Sequence, residues 1–273
     1  MTRVELHYGA ATDVGQVRAV NEDSFLASPP VFVVADGMGG HDGGDVASAI
    51  VVDEFSRFGG DELDARAAAA RITERLRACQ RRILDYAAQH RAGGAARWYS
   101  GTTAVVAVLV VQEGRPCWLV ANLGDSRAYR LTEGGLHQVS VDHSVVQELV
   151  DAGTITPAEV ATHPERHVVT RALGGPDDLD PDFFLLPLPD AERLLLCSDG
   201  VTGMIGDDRV GSILADTEDP RDAADRLVAA AVAAGGRDNA TAVVVDVVGW
   251  LAKDAHDAER QRVSLEDKLG ALP

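Results

Sequence analysis

Cysteine is scarce in this chain. The three in its 273 residues, Cys79, Cys117 and Cys197, lie in apolar patterns without paired spacing. That excludes a disulfide framework or a thiolate zinc cage and makes them core residues. Long apolar runs are missing too, and residues 1–10 hold no charged stretch leading into an apolar one. No membrane span or signal segment is therefore expected, and the chain reads as soluble and cytoplasmic. Positive charge is in short supply: 25 Lys and Arg stand against 43 Asp and Glu, a net −18, with a pI near 4.7. The resulting field repels nucleic acid and anionic membranes, so neither is expected as a partner. Internal repeats and low-complexity linkers are absent. What remains, 46% hydrophobic and 25% charged residues, is ordinary for a globular protein with ample core.

The chain is organised around residues 31–44, VFVVADGMGGHDGG. An apolar, largely β-branched run predicts a strand buried on both faces, ending at Asp36, where glycines at 37, 39, 40, 43 and 44 stop it. Helical apolar spacing over 45–58 follows. A carboxylate is thus held at a strand end, on a loop whose backbone can approach a ligand closely. The glycines miss the dinucleotide spacing and no Lys follows them, which disfavours a nucleotide cradle. RLLLCSDG, residues 193–200, repeats the device with Asp199, and Asp238 opens the last strand, expected over 241–249. Asp125 lies in the turn Gly124-Asp125-Ser126. The polar segment 12–24 has turn composition and brings Arg18, Glu22 and Asp23 close together.

Between these landmarks the pattern predicts a strand over 4–11, a long amphipathic helix over 61–91, and strands over 102–111, 117–123, 126–131 and 136–139. The links between those four strands are too short for crossover helices, so an antiparallel meander is expected. The first is apolar at nearly every position and must be covered on both sides. Two packed sheets with helices outside them satisfy this, an α+β arrangement. Residues 144–175 turn polar and irregular, with a helix start at Thr156-Pro157 and a break at His163-Pro164, and read as an inserted flap. Helices are expected over 207–215 and 221–234. One domain over 1–249 results, with 250–273 left as an unassigned tail.

Carboxylates converging at the edge of an apolar core repel one another unless cations neutralise them. Oxygen donors without clustered His or Cys select Mg²⁺ or Mn²⁺, and several acids suggest two ions roughly 4 Å apart, an arrangement that ionises water for phosphoryl transfer. Arg18 is placed to clamp a phosphate bidentately. No Cys is followed by Arg six positions on, so a cysteine nucleophile is excluded. GDSR at 124–127 lacks the His-Gly that calcineurin-like enzymes carry next. Water is the expected nucleophile. For Asp125 two roles stay open, a metal ligand or a turn residue bonded to its own backbone.

Eight segments occur in the order found in one family: DVGQVRAVNED (13–23), ADGMGGH (35–41), SGTTA (100–104), NLGDSR (122–127), DHS (142–144), HPERHVVTRALG (163–174), CSDG (197–200) and RDNAT (237–241). The chain resembles the metal-dependent protein Ser/Thr phosphatases of the protein phosphatase 2C (PP2C, or PPM) family, most of all the bacterial branch. The resemblance implies a four-layer α-β-β-α sandwich of two mainly antiparallel sheets, and hydrolysis of phosphoserine and phosphothreonine by direct attack of a metal-activated water. It implies that Asp36 bridges two Mn²⁺ or Mg²⁺ ions, that Gly37 offers its carbonyl, that Asp199 and Asp238 complete the first ion, and that Glu22 reaches the second through water. Asp36, Asp199, Asp238 and Arg18 are then the catalytic set, with Arg18 on the substrate phosphate. Asp23 and Asn239 orient these groups, and Asp125 joins Asp199 on a third, weaker ion. Many relatives carry His directly after the metal-binding Asp-Gly; Met38 stands there, leaving a water on the metal or His41 to protonate the leaving alkoxide. Phosphorylated proteins are the implied partners, among them a bacterial-type Ser/Thr kinase and its substrates, for a monomeric enzyme. An inactive phosphoprotein-binding relative would have lost ligands, and every ligand position here is filled. A structural Ca²⁺ protein would account for the acids but not for Arg18, and it has no D-x-D-x-D-G loop here.

Overall fold

A computed structural model describes residues 3–39, 43–93, 98–176, 179–188 and 193–251. Its centre is β3 (Val31–Ala35), buried at every position. Alternation along this strand explains why no residue is polar. Val31, Val33 and Ala35 pack with Ile50, Val51 and Phe55 of α1 (Gly44–Ser56) and with Ile72, Leu76 and Ile83 of α2 (Ala65–Ala92). Phe32 and Val34 point the other way, into a layer with Trp118, Leu194, Leu196, Val243 and Val245. A strand in an interior sheet has two apolar faces because it has two apolar neighbours.

Two five-stranded sheets result. One runs β10 (Asp182–Pro187), β7 (Arg115–Leu123), β6 (Ala104–Gln112), β3 and β2 (Ser24–Ser28). The other runs β1 (Arg3–Asp13), β12 (Ala240–Leu251), β11 (Arg193–Cys197), β8 (Arg127–Thr132) and β9 (Gly135–Gln138). Every pairing within them is antiparallel. Outside the second sheet lie α5 (Asp207–Ala215) and α6 (Pro220–Ala233), whose Val210, Ile213, Ala224, Leu227 and Ala231 meet Leu195, Ala242 and Val244. The order helix, sheet, sheet, helix is the α-β-β-α sandwich expected. Phe32 sits at its middle, edge-on to Tyr8 at 5.4 Å and Trp118 at 5.9 Å between ring centroids.

The meander is corrected. β6 and β7 form a hairpin in one sheet, while β8 and β9 form theirs in the other. The short link 124–126 carries the chain between sheets instead of pairing β7 with β8. Gly124 adopts φ +119, and Asn122 Nδ2 bonds the carbonyls of Gly124 and Val141, both at 3.0 Å, so the turn is satisfied locally as the chain leaves its sheet. Short links exclude crossover helices but do not oblige their strands to share a sheet. Thr102 belongs not to β6 but to a two-residue strand, β5 (Gly101–Thr102), paired with β4 (Gly37–Met38). The edge strands β2 and β10 were not foreseen, β10 because FFLLP follows directly on the polar flap. The flap holds α3 (Val145–Asp151) and a 3-10 turn, Pro157–Thr162, which starts with a Thr156/Glu159 capping box and ends at His163. β12 continues through Leu251; the rest of the tail, and His41, lie outside the described residues. Among the described residues no helix is long and apolar enough to cross a membrane.

Candidate metal centre

Asp36 leaves the end of β3 with its backbone pinned on both sides. Its N–H donates to Thr103 Oγ1 at 3.0 Å, and its carbonyl accepts from Thr102 Oγ1 and from the Thr103 N–H, each at 2.9 Å. The SGTTA segment thus aims the central acid. Gly37 follows, its N–H donating to the Glu22 carbonyl at 3.2 Å. A Cβ at Gly37 would run into the backbone oxygens of Gly44 and Glu22, so only glycine fits between them. Glu22 is fixed in turn: its carboxylate accepts the Gly44 N–H at the start of α1, and Ser48 Oγ donates to its carbonyl at 2.6 Å. The helix N-terminus favours the negative charge.

Asp199 arrives at the end of β11 and begins a single helical turn, α4 (Asp199–Thr202). Asp238 precedes β12 and accepts from Arg18 Nη2 at 2.7 Å, with the two side chains 50% and 37% exposed. Asn239 beside it ties the Arg18 loop down: Nδ2 donates to the carbonyls of Val14 (2.9 Å) and Val20 (3.0 Å), and Oδ1 accepts the Glu22 N–H at 2.8 Å. Asp23 stands behind the acids. Its Oδ2 accepts from Ser198 Oγ and Thr241 Oγ1, both at 2.7 Å, and its buried Oδ1 has no partner among the described residues.

The turn bearing Asp125 is braced by the DHS segment. Arg127 forms a forked ion pair with Asp142, 2.6 Å at its shortest, and His143 Nδ1 accepts the Gly124 N–H at 3.1 Å. Such a bidentate pair fixes orientation as well as charge.

These elements meet in one cleft of about 640 Å³, lined by Arg18, Glu22, Asp36, Gly37, Met38, Asp125, Asp199 and Asp238. The flap supplies part of the wall through Ala161, Arg166, His167 and Val169, and Arg237 completes it beside Asp238. Every ligand candidate from the sequence lines this cleft, while Asp23 and Asn239 hold it from behind. The bracing by Thr102, Thr103, Ser198 and His143, and the cations on the flap and at Arg237, were missed. SGTTA and DHS stood out as motifs, but no local pattern says what their side chains grip. Two other clefts, of about 580 and 680 Å³, flank β1, but their acids, Glu5, Asp61, Glu62, Asp219 and Asp225, are exposed residues.

Electrostatics distinguishes this cleft from the others. Burial, and then repulsion from Asp23, Asp199, Asp125 and Asp238, pushes the Asp36 carboxyl well above its ordinary range. Burial and Asp238 raise Asp199, which is hydrogen-bonded to Asp36 and eased by His167. Burial, then Asp199 and Asp142, pushes Asp125 up to about 7, and burial with the neighbouring acids does the same to Asp23. Among the described residues no three of these side chains are arranged to hold an ion as they stand. The donor set nevertheless fits a hard divalent cation. It is all oxygen and over-charged, its one direct arginine pairing in the described residues is Arg18 on Asp238, and Asp23 behind it keeps a buried carboxylate oxygen with no partner among the described residues.

The family model described as "Protein phosphatase 2C" matches residues 16–240. The serine/threonine protein phosphatase PstP of Mycobacterium tuberculosis is 37% identical over 280 residues, covering 100% of this chain and 51% of that protein, so the chain spans about half of that relative's length. The serine/threonine phosphatase Stp of Listeria monocytogenes is 33% identical over 249 residues, 88% of this chain and 96% of the relative. The crystal structure of the PstP catalytic domain in complex with two manganese ions superposes with a TM-score of 0.74 at 35% identity, covering 91% of this chain and all of that one. Matched by the family model over residues 16–240 and folded as the PstP catalytic domain is, the chain belongs to the bacterial branch of the protein phosphatase 2C family.

Proposed function

We propose that this chain is a metal-dependent protein serine/threonine phosphatase. The observation that carries the reading is the convergence of Asp36, Asp125, Asp199 and Asp238 on one cleft whose carboxyls cannot all ionise unaided. Two Mn²⁺ or Mg²⁺ ions held by Asp36, the Gly37 carbonyl, Asp199, Asp238 and, through water, Glu22 would supply a nucleophilic hydroxide at neutral pH and screen the phosphoryl oxygens. Arg18 then orients the phosphate: its guanidinium already reaches the cleft, and its fork matches two phosphoryl oxygens. Thr102, Thr103 and Asn239 hold the backbones that carry these groups in register, which confines the adjustment on binding to the carboxylate side chains. Asp125 and Asp199 would hold a third, weaker ion. Met38 carries no proton, so protonation of the leaving alkoxide falls to water in the cleft or to His41.

Residues 1–249 form the catalytic domain, with 144–175 as the flap that selects protein substrates, since Arg166 and His167 reach the cleft wall from it. Phosphorylated proteins are the substrates, among them a bacterial-type Ser/Thr kinase and its targets. Free, buried Cys79, Cys117 and Cys197 suit a reducing compartment and support a cytoplasmic site of action. Phosphate release from a phosphothreonine peptide tests the reading: Mn²⁺ or Mg²⁺ supports it and EDTA abolishes it. Turnover that is undiminished in chelator, or no turnover with either metal, overturns it.

A further inference from the structure

The lip of the cleft carries groups that phosphoryl transfer does not use. Arg237 is exposed, lines the cleft, and has no hydrogen-bond or ion-pair partner among the described residues. Its neighbour Asp238 is taken by Arg18. The backbones that carry Arg237 and Arg18 are nonetheless held in a fixed relation, because their two loops are tied together. The Gln16 N–H donates to the Gly236 carbonyl at 2.7 Å, Gln16 Nε2 donates to the Val232 carbonyl at 2.8 Å, and Asn239 bonds Val14 and Val20. Gly15, at φ +78, lies so close to the Asp238 carbonyl that a Cβ would collide with it. The loop that brings Arg18 to the cleft also bears Val17 and Val20, 69% and 55% exposed, the most exposed large hydrophobics among the described residues.

A single arginine suffices to fork a phosphate monoester, which leaves Arg237 free for another anion. Such a group is needed locally, because a chain of net charge −18 repels a peptide bearing several negative charges. Isolated exposed valines mean little. Two of them flanking the phosphate clamp on a braced loop offer an extended peptide a firm apolar contact.

We propose that Val17, Val20 and Arg237 form a substrate-docking lip that selects phosphoserine or phosphothreonine in peptides with an anionic side chain nearby. The anion pairs with Arg237, and apolar side chains beside it lie on the valines. This rests on the phosphatase reading, and the test separates the two.

Fluorescently labelled phosphothreonine peptides with acidic, neutral or basic flanks are assayed for hydrolysis with Mn²⁺ and, in parallel, for binding by anisotropy. Wild type favours acidic over basic flanks roughly twofold to fivefold in kcat/KM, the range of one solvent-exposed ion pair. Arg237→Gln removes that preference through KM, Arg237→Glu reverses it, and a Val17→Ser/Val20→Ser double variant weakens all peptides more than it slows p-nitrophenyl phosphate. All three positions are exposed, and melts of each variant confirm the fold. A flank preference that Arg237→Gln leaves unchanged, or equal losses on every peptide and on p-nitrophenyl phosphate, overturns the lip. Flank-selective binding without any hydrolysis upholds the lip and sinks the phosphatase reading instead.

Discussion

The side-chain oxygen of Asn239 accepts the backbone N–H of Glu22 at 2.8 Å, joining the start of the last strand to the loop that carries Arg18. With the two bonds its amide donates to Val14 and Val20, one buried side chain satisfies three backbone groups of that loop. Asn239→Ala leaves all three unpaired. We expect a stability loss of about 1–3 kcal/mol and a rise in KM from the loosened Arg18, measured by urea unfolding beside steady-state kinetics. Asn239→Asp keeps the acceptor and should recover part of the Glu22 contact but not the Val14 and Val20 bonds.

Asp36→Asn removes the charge that its neighbours resist most. Turnover should fall by orders of magnitude, while the melting temperature in EDTA rises above that of wild type because the buried repulsion is relieved. The stabilisation that Mn²⁺ gives wild type should shrink. Thermal melts with and without Mn²⁺ check both; a variant that melts lower than wild type in EDTA contradicts the repulsion argument.

A pH dependence follows from Asp23 and Asp125, each pushed up to about 7 from an ordinary 3.8. Between those values the folded, metal-free chain keeps protons that the unfolded chain has released. Their contribution to stability is full below pH 3.8 and is lost as pH rises through 7. In EDTA the melting temperature should therefore drop from about pH 5 to about pH 8. Saturating Mn²⁺ should flatten that slope, since the ion replaces the protons. A flat apo profile would show that these acids ionise freely.

Arg18 and Asp238 are both partly exposed, so their ion pair adds little to folding. Arg18→Ala should melt within a degree or two of wild type, raise KM for phosphopeptides, and leave the Mn²⁺ affinity measured by calorimetry nearly unchanged. A collapse of metal binding with an unaltered KM would assign Arg18 to the metal site instead.

Asp125→Ala distinguishes ligand from turn residue. The turn has other braces in His143 and the Arg127/Asp142 pair, so the fold should survive. We expect calorimetry to retain two ions, with turnover sharply reduced and little rescued by excess metal. Unimpaired kcat would return Asp125 to a turn role.

Much of the architecture was present in local pattern. A run such as VFVVA can be apolar at every position only if both faces are covered, and a strand ending in Asp-Gly must leave its carboxylate at the rim; both statements hold for Asp36 without knowledge of any partner. The same reasoning placed Asp199 and Asp238, and the motifs brought Arg18, Glu22 and Asp125 to the same list. Tertiary structure alone decided which strands share a sheet. β8 pairs with β11 rather than β7 because a link of a few residues can either turn a hairpin or step between sheets, and the choice depends on partners far along the chain. Tertiary structure also decided what Thr102, Thr103 and Asn239 grip, and that Arg237 lines the same cleft as Arg18 with no partner among the described residues. Periodicity and turn chemistry act over a few residues and are written in the sequence. Hydrogen bonds and repulsions between segments some two hundred positions apart exist only once the two sheets have closed on each other.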